Sequence, residues 1–246
     1  MVWEAGESGE RLVERAEALL ATARRLGGNH TRGPEADRLL MAESQLDPTW
    51  RRQLLELVAI VDARYGVDPF HSRRVSALAE KLAIELDLDH EAIRRASLGG
   101  LLHAIGTLTI ADADLHASGS LALLEERRAD RHAQRGGEIV RRIRGLRDVA
   151  LVVEASQDGL DATGPRGRHD EGIPVEARIV AVANALVTLT TERPGVQELS
   201  LTSALTELWR FTDTRYDATV VSALFRLVRE DERSVLGEVA AVLTLA

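Results

Sequence analysis

Four segments carry side chains suited to metal or phosphate chemistry. They are Phe70-His71-Ser72-Arg73-Arg74-Val75, Leu101-Leu102-His103-Ala104-Ile105-Gly106-Thr107-Leu108, His132 with Gly136 and Gly137, and Val153 through Gly167 to Ile173-Pro174. Neutral imidazole binds divalent ions without help from carboxylates. If His71, His103 and His132 converge, three ring nitrogens plus water would hold one zinc-like ion, as in hydrolytic sites. The plainer reading makes His103 a hydrogen-bonded core residue beside Ala104, with His71 and His132 as relics. Arg74, Arg178 and Arg193 offer the complementary chemistry, because guanidinium presents paired donors to phosphate oxygens. Against that stands ordinary ion pairing with local acids such as Glu192. Arg166 and Arg168, in the long loop from Gln157 to Gly172, are more exposed candidates.

Bulk composition narrows what such residues can do. The chain has no Cys, which removes disulfides, thiolate nucleophiles and Cys-based zinc sites. Its formal net charge of −8 argues against a nucleic-acid partner, which needs a basic face to displace counterions from phosphates. No uncharged apolar run approaches the roughly 18 residues of a membrane span. Met1 to Glu10 carries acid and glycine where a signal peptide would carry basic and apolar residues, so a cytoplasmic location is expected. Aromatics make up only 3%, which leaves Leu, Val, Ile and Ala to fill the core.

Those candidate residues must be positioned by helices. In Ser8–Leu26, apolar residues fall at Leu12, Val13, Ala16, Leu19, Leu20, Ala23 and Leu26, one stripe at helical spacing, and Gly27-Gly28 ends it. A short helix follows Gly33-Pro34. Asp47-Pro48 starts a longer one running to Arg64. Further amphipathic stretches cover about 70–87, 89–103, 121–144, 146–156, 174–193, 198–210, 217–229 and 231–244. Val149–Val153 is β-branched but lies between helical patterns, and no series of period-two segments suggests a sheet. The expected fold is all-α, with a helical extension over residues 1–49 and a helical bundle over 50–246. The Leu12–Leu26 stripe suits either packing on its own domain or pairing with a second copy.

The order and spacing of the four segments resemble the HD-GYP family, a bacterial branch of the HD superfamily of metal-dependent phosphohydrolases. The resemblance runs from about Trp50 to Val228. His71-Ser72 with Arg74-Val75 looks like the family's "HSxRV", and Leu115 through Leu121 matches its "L-x-K-P-G-x-L" in spacing, without Lys or Pro. Ile173 through Ile179 looks like "IPLxARI", Thr191-Glu192-Arg193-Pro194 like "SDRPY", and Tyr216-Asp217-Ala218 like "FDP".

The resemblance implies cleavage of c-di-GMP by two or three iron or manganese ions, held by a bridging His-Asp pair, further His and further acids. Such ions require negative charge at the site, both to offset their own and to deprotonate the attacking water. By the same resemblance His71, His103 and His132 stand at ligand positions. The departures are widespread. Ala104 stands where the bridging Asp belongs, and Thr107 where the family has a catalytic Lys. Ala155, Ser156 and Gln157 occupy "HHE", Asn184 replaces the last Asp ligand, and "GYP" is reduced to Thr163-Gly164-Pro165. Asp158 and Asp161 lie near lost ligands.

The expectation is therefore a catalytically inactive HD-GYP-like regulatory module without resident cofactor. It would work in bacterial signalling through a protein partner or a homodimer, or by holding a cyclic dinucleotide without hydrolysis through Arg74, Arg178 and Arg193. The alternative is a divergent phosphohydrolase with one divalent ion on His71, His103 and His132.

Overall fold

A computed structural model describes residues 48–65, 68–110, 121–160, 172–191 and 197–230. The chain divides into Met1–Pro48 and Thr49–Ala246, and nearly all described residues belong to the second unit. The expected extension over 1–49 lies almost wholly outside the described residues.

The described chain forms α1 (Pro48–Tyr65), α2 (His71–Glu85), α3 (His90–Leu102), a 3-10 helix η1 (Ile105–Thr109), α4 (Leu121–Arg142), α5 (Ala150–Ala155), α6 (Val175–Leu189), α7 (Leu201–Arg210) and α8 (Ala218–Glu230). No strand occurs among the described residues, and the expected all-α class stands. Val149–Val153 enters α5. Its β-branched residues are tolerated because Val149, Val152 and Val153 are buried against other helices. The 3-10 helix was not anticipated, since a five-residue element carries too little periodicity to be read.

Local chemistry sets the boundaries. Asp87, at φ 54°, adopts the left-handed conformation that closes α2, and the Leu88 amide returns to the Ala83 carbonyl at 3.1 Å. Two residues later the Asp89 carboxylate accepts from the Ala92 amide at 2.8 Å and opens α3. Asp217 opens α8 in the same way, accepting from the amides of Thr219 and Val220.

Helix α6 is the centre of the bundle. Ala177, Ile179, Val180, Val182, Ala183 and Val187 on it are wholly buried, so the helix is apolar on nearly every side. Helices α2 and α3 pack on each other and both pack on α6, while α7 and α8 cover it from elsewhere. The core is built from Leu, Val, Ile and Ala, as the scarcity of aromatics requires. Helix α4 packs on η1 and α5. Two glycines permit that approach. A Cβ on Gly106 would sit 1.7 Å from the His132 carbonyl oxygen, and one on Gly137 would sit 1.9 Å from Cγ of Glu154.

Candidate functional site

The three histidines come from separate elements. His71 is the first residue of α2, His103 caps the C-terminus of α3, and His132 lies on α4. All three are buried. The α2 terminus is held from α1, where the Asp62 carboxylate accepts from the Ser72 amide at 2.9 Å and from its hydroxyl at 2.6 Å. Burial pushes the Asp62 carboxyl from 3.8 up to about 6, although the Ser72 bonds oppose the shift. Asp68 accepts from the Phe70 amide at 2.8 Å and pairs with Arg74.

The rings of His71 and His103 lie 5.4 Å apart, tilted by 55°. His103 donates from Nδ1 to the Gly100 carbonyl at 2.7 Å, which leaves Nε2 with its lone pair. Burial lowers its pKa to about 3, assisted by the charges that His71 and His132 would carry and opposed by the Gly100 bond. His103 is therefore neutral throughout the physiological range. His71 and His103 are ring neighbours, and His132 lies close enough to bear on the charge of His103.

Several neutral groups near the trio are turned inward. Nε2 of His71 lies 3.0 Å from Oδ1 of Asn184, and the Thr188 hydroxyl donates to the same oxygen at 3.4 Å. Ala104 is buried. The Thr107 hydroxyl donates to the Ala104 carbonyl at 2.8 Å, and the Thr107 carbonyl accepts from Arg64 at 2.8 Å. Ser156 donates its hydroxyl to the Val153 carbonyl at 3.0 Å. Among the described residues, no group of three or more His, Asp or Glu side chains is arranged to hold a metal ion. The donor set does not fit a carboxylate-bridged pair of ions, because an alanine and an amide stand where charged oxygens would be needed.

The candidate arginines have local partners. Arg74 is buried, pairs with Asp68, and donates to the Thr191 hydroxyl at 3.2 Å. Arg178 donates to the Ile173 carbonyl and to Asp217, each at 2.9 Å. Burial alone would raise the Asp217 carboxyl, but Arg178 and the Val220 and Thr219 amides outweigh it and hold the carboxyl below its ordinary value. Arg193 lies outside the described residues, as do Arg166, Arg168, Asp161 and Thr163-Gly164-Pro165.

Next to Asn184 a cavity of about 430 Å³ opens between the end of α5, the side of α6, and α7 with the turn that follows it. Asp158, Thr188, Glu207, Phe211, Arg215 and Tyr216 line it. Sequence reasoning treated Tyr216 only as part of a motif and missed this wall. A signal existed. Four of the chain's eight aromatic residues, Trp209, Phe211, Tyr216 and Phe225, fall within residues 209–225.

A family model for the HD domain matches residues 57–220, more than half of the chain, and the chain belongs to that family. Its relatives place it beside the HD-GYP-type cyclic dinucleotide phosphodiesterases. It is 30% identical over 192 residues to the cyclic di-GMP phosphodiesterase response regulator RpfG of Xanthomonas campestris pv. campestris, covering 77% of this chain and 51% of that protein. It is 31% identical over 169 residues to 3'3'-cGAMP-specific phosphodiesterase 3 of Vibrio cholerae, covering 67% and 36%. The chain thus spans about half of the first relative and less of the second. The fold is similar to the cyclic GMP-AMP-specific phosphodiesterase V-cGAP3 of V. cholerae, with a TM-score of 0.56 at 16% identity over 73% of this chain and 49% of the other. It is also similar to Bd1817, an HDG"Y"P protein of Bdellovibrio bacteriovorus, with a TM-score of 0.51 at 20% identity over 65% and 51%. No helix among the described residues is long and apolar enough to cross a membrane.

Proposed function

We propose that this chain is a non-hydrolytic HD-GYP-like regulatory module of bacterial signalling. On this reading it acts in the cytoplasm, by contact with a protein partner or a second copy of itself, and holds a nucleotide without cleaving it. The observation that carries the proposal is the contact between His71 Nε2 and Asn184 Oδ1 at 3.0 Å, beside a buried Ala104. Where a hydrolytic centre needs carboxylates to hold ions and to ionise water, this one has an amide bonded to an imidazole and a methyl group. The names of the relatives support a cyclic dinucleotide as the ligand to try first. The test is turnover of c-di-GMP and 3'3'-cGAMP with Mn²⁺ or Fe²⁺ added to metal-stripped protein. No linear product is expected, and metal-dependent release of linear dinucleotide would overturn the reading.

A second reading, a one-metal phosphohydrolase on His71, His103 and His132, draws on the 5.4 Å approach of the first two rings and the lone pair on His103 Nε2. It requires about one bound divalent ion per chain by elemental mass spectrometry. It also requires loss of both ion and activity in a folded His103→Ala variant.

A further inference from the structure

Away from the histidines, two turns of opposite charge lie side by side. The first joins α2 to α3 and exposes Asp87, Asp89 and Glu91. The second joins α4 to α5, where four arginines fall within residues 141–147, and it exposes Arg142, Arg144 and Arg147. Arg94 of α3 ties the turns together. Its Nε donates to Glu91 Oε2 at 2.9 Å, and its guanidinium pairs with Asp148. Only 11% of the Arg94 side chain is exposed, so that link is held in place.

The basic turn is a built feature. The Leu146 amide donates to the Ile143 carbonyl at 3.2 Å, and the Val149 amide to the Leu146 carbonyl at 3.0 Å. Gly145 takes φ 87°, a left-handed conformation that glycine adopts without strain. Val140, Leu146 and Val149 are wholly buried and anchor the backbone, which leaves the arginines between them at the surface. Arg142 closes α4 and suits the negative end of that helix. Arg144 and Arg147 lie beyond the helix, where its dipole gives no reason for them.

This concentration of positive charge belongs to a chain of net charge −8. The group that matches it is the acidic turn beside it, three exposed acids to three exposed arginines. Within one molecule the turns lie edge to edge. A second copy, rotated by half a turn, sets each acidic turn opposite the other copy's basic turn, with both pairings made at once. That is the self-complementarity a two-fold interface requires. Opposed charges of this kind fix orientation and register more than affinity. Leu151, 44% exposed and four residues beyond Arg147, adds apolar surface next to them.

We propose that the face formed by these two turns is where two copies of this chain pair, Arg142, Arg144 and Arg147 of each against Asp87, Asp89 and Glu91 of the other. The inference rests on the reading of the chain as a module that acts through protein contact, and it gives that contact a surface and a partner.

The test is analytical ultracentrifugation of the full chain over a range of protein concentrations. Screening shortens from about 10 Å at 0.1 M salt to about 3 Å at 1 M, so the dimer dissociation constant is expected to rise at least about tenfold between them. A variant carrying Arg142→Glu, Arg144→Glu and Arg147→Glu is expected to self-associate at least about tenfold more weakly than wild type. The same is expected of a variant carrying Asp87→Asn and Glu91→Lys. Asn suits the φ of 54° at position 87, and the Asp89 cap of α3 is left in place. An equimolar mixture of the two variants should associate more tightly than either alone, because the acidic turn of the first meets the intact arginines of the second. Unchanged circular dichroism shows that both keep the fold. A wild-type chain that stays monomeric at every concentration overturns the proposal. So does a dimer that persists in either variant, which would place the contact on another face, and so does a mixture that gains nothing. Turnover of c-di-GMP by the same preparation would overturn the non-hydrolytic reading and leave the dimer to be judged by the charge variants.

Discussion

The two faces of α6 that meet at Asn184 are built on opposite principles. Toward α2 and α3, the polar groups are buried and turned onto one another: His71 to Asn184, His103 to Gly100, Thr107 to Ala104. Toward α7 and the turn after it, a cavity is lined by Asp158, Glu207, Phe211, Arg215 and Tyr216. Internal satisfaction stabilises a core, because a buried polar group without a partner costs about 1–3 kcal/mol. Function asks for the reverse, groups held ready for something not yet present. The histidine side thus has the character of packing, while the side lined by Glu207, Phe211 and Tyr216 stays open.

The strongest way to break this contrast is to put charge back on the histidine side. Ala104 is buried, so Ala104→Asp in metal-free buffer is expected to lower unfolding free energy by about 3–5 kcal/mol, the cost of an uncompensated buried charge. Chemical denaturation with and without Mn²⁺ checks it. Recovery of stability on adding Mn²⁺ would mean that the three imidazoles can still hold an ion once an acid joins them.

A second prediction concerns pH. His103 is held near 3 in the fold against 6.5 unfolded, so its contribution is complete above pH 6.5 and is lost as pH falls toward 3. By pH 4 that loss would reach about 3 kcal/mol. Asp62 is held near 6 against 3.8, so its contribution is present below pH 3.8 and is lost, again about 3 kcal/mol, as pH rises through 6. Between pH 4 and 6 the two oppose each other, and wild-type stability is expected to be nearly flat from these groups. Asp62→Asn, which keeps an acceptor for Ser72, should expose a stability that falls with acid. His103→Gln should expose one that rises with it. Parallel curves for both variants would show that neither group is buried as described.

Next in size is a test of the shared helix α7. Leu208 is fully buried behind the cavity, and Leu208→Ala is expected to cost about 2–5 kcal/mol in thermal or denaturant unfolding. The smallest effect belongs to the outer surface beside it. Trp209 is 59% exposed and meets Phe225 edge-on at 5.8 Å, so Trp209→Ser should cost under about 1 kcal/mol. A large loss there would mean that the aromatic cluster belongs to the core and not to a surface.

Much of this was legible beforehand. Most helix positions followed from apolar spacing and from signals such as Asp47-Pro48 at a helix start, because those act over short stretches of chain. The grouping of His71, His103 and His132 followed from a family resemblance; the structure sets the rings of the first two 5.4 Å apart. Helix α5 was read as longer than it is: of the stretch 146–156, only Ala150–Ala155 is helical. The cavity escaped because its walls come from residues as far apart as Asp158 and Tyr216, and no local pattern links them.

The sequence by itself determined the helical class and the Leu, Val, Ile and Ala core, which short-range periodicity and composition carry, and it places Ala and Asn at positions 104 and 184. Only the tertiary structure decided that Asn184 would meet His71, that Arg74 and Arg178 would be engaged by Asp68 and Asp217, and that a cavity would open behind them. Those outcomes depend on which faces of α2, α6, α7 and α8 pack together. Packing is settled by the joint burial of many side chains across the chain, so no single segment records it.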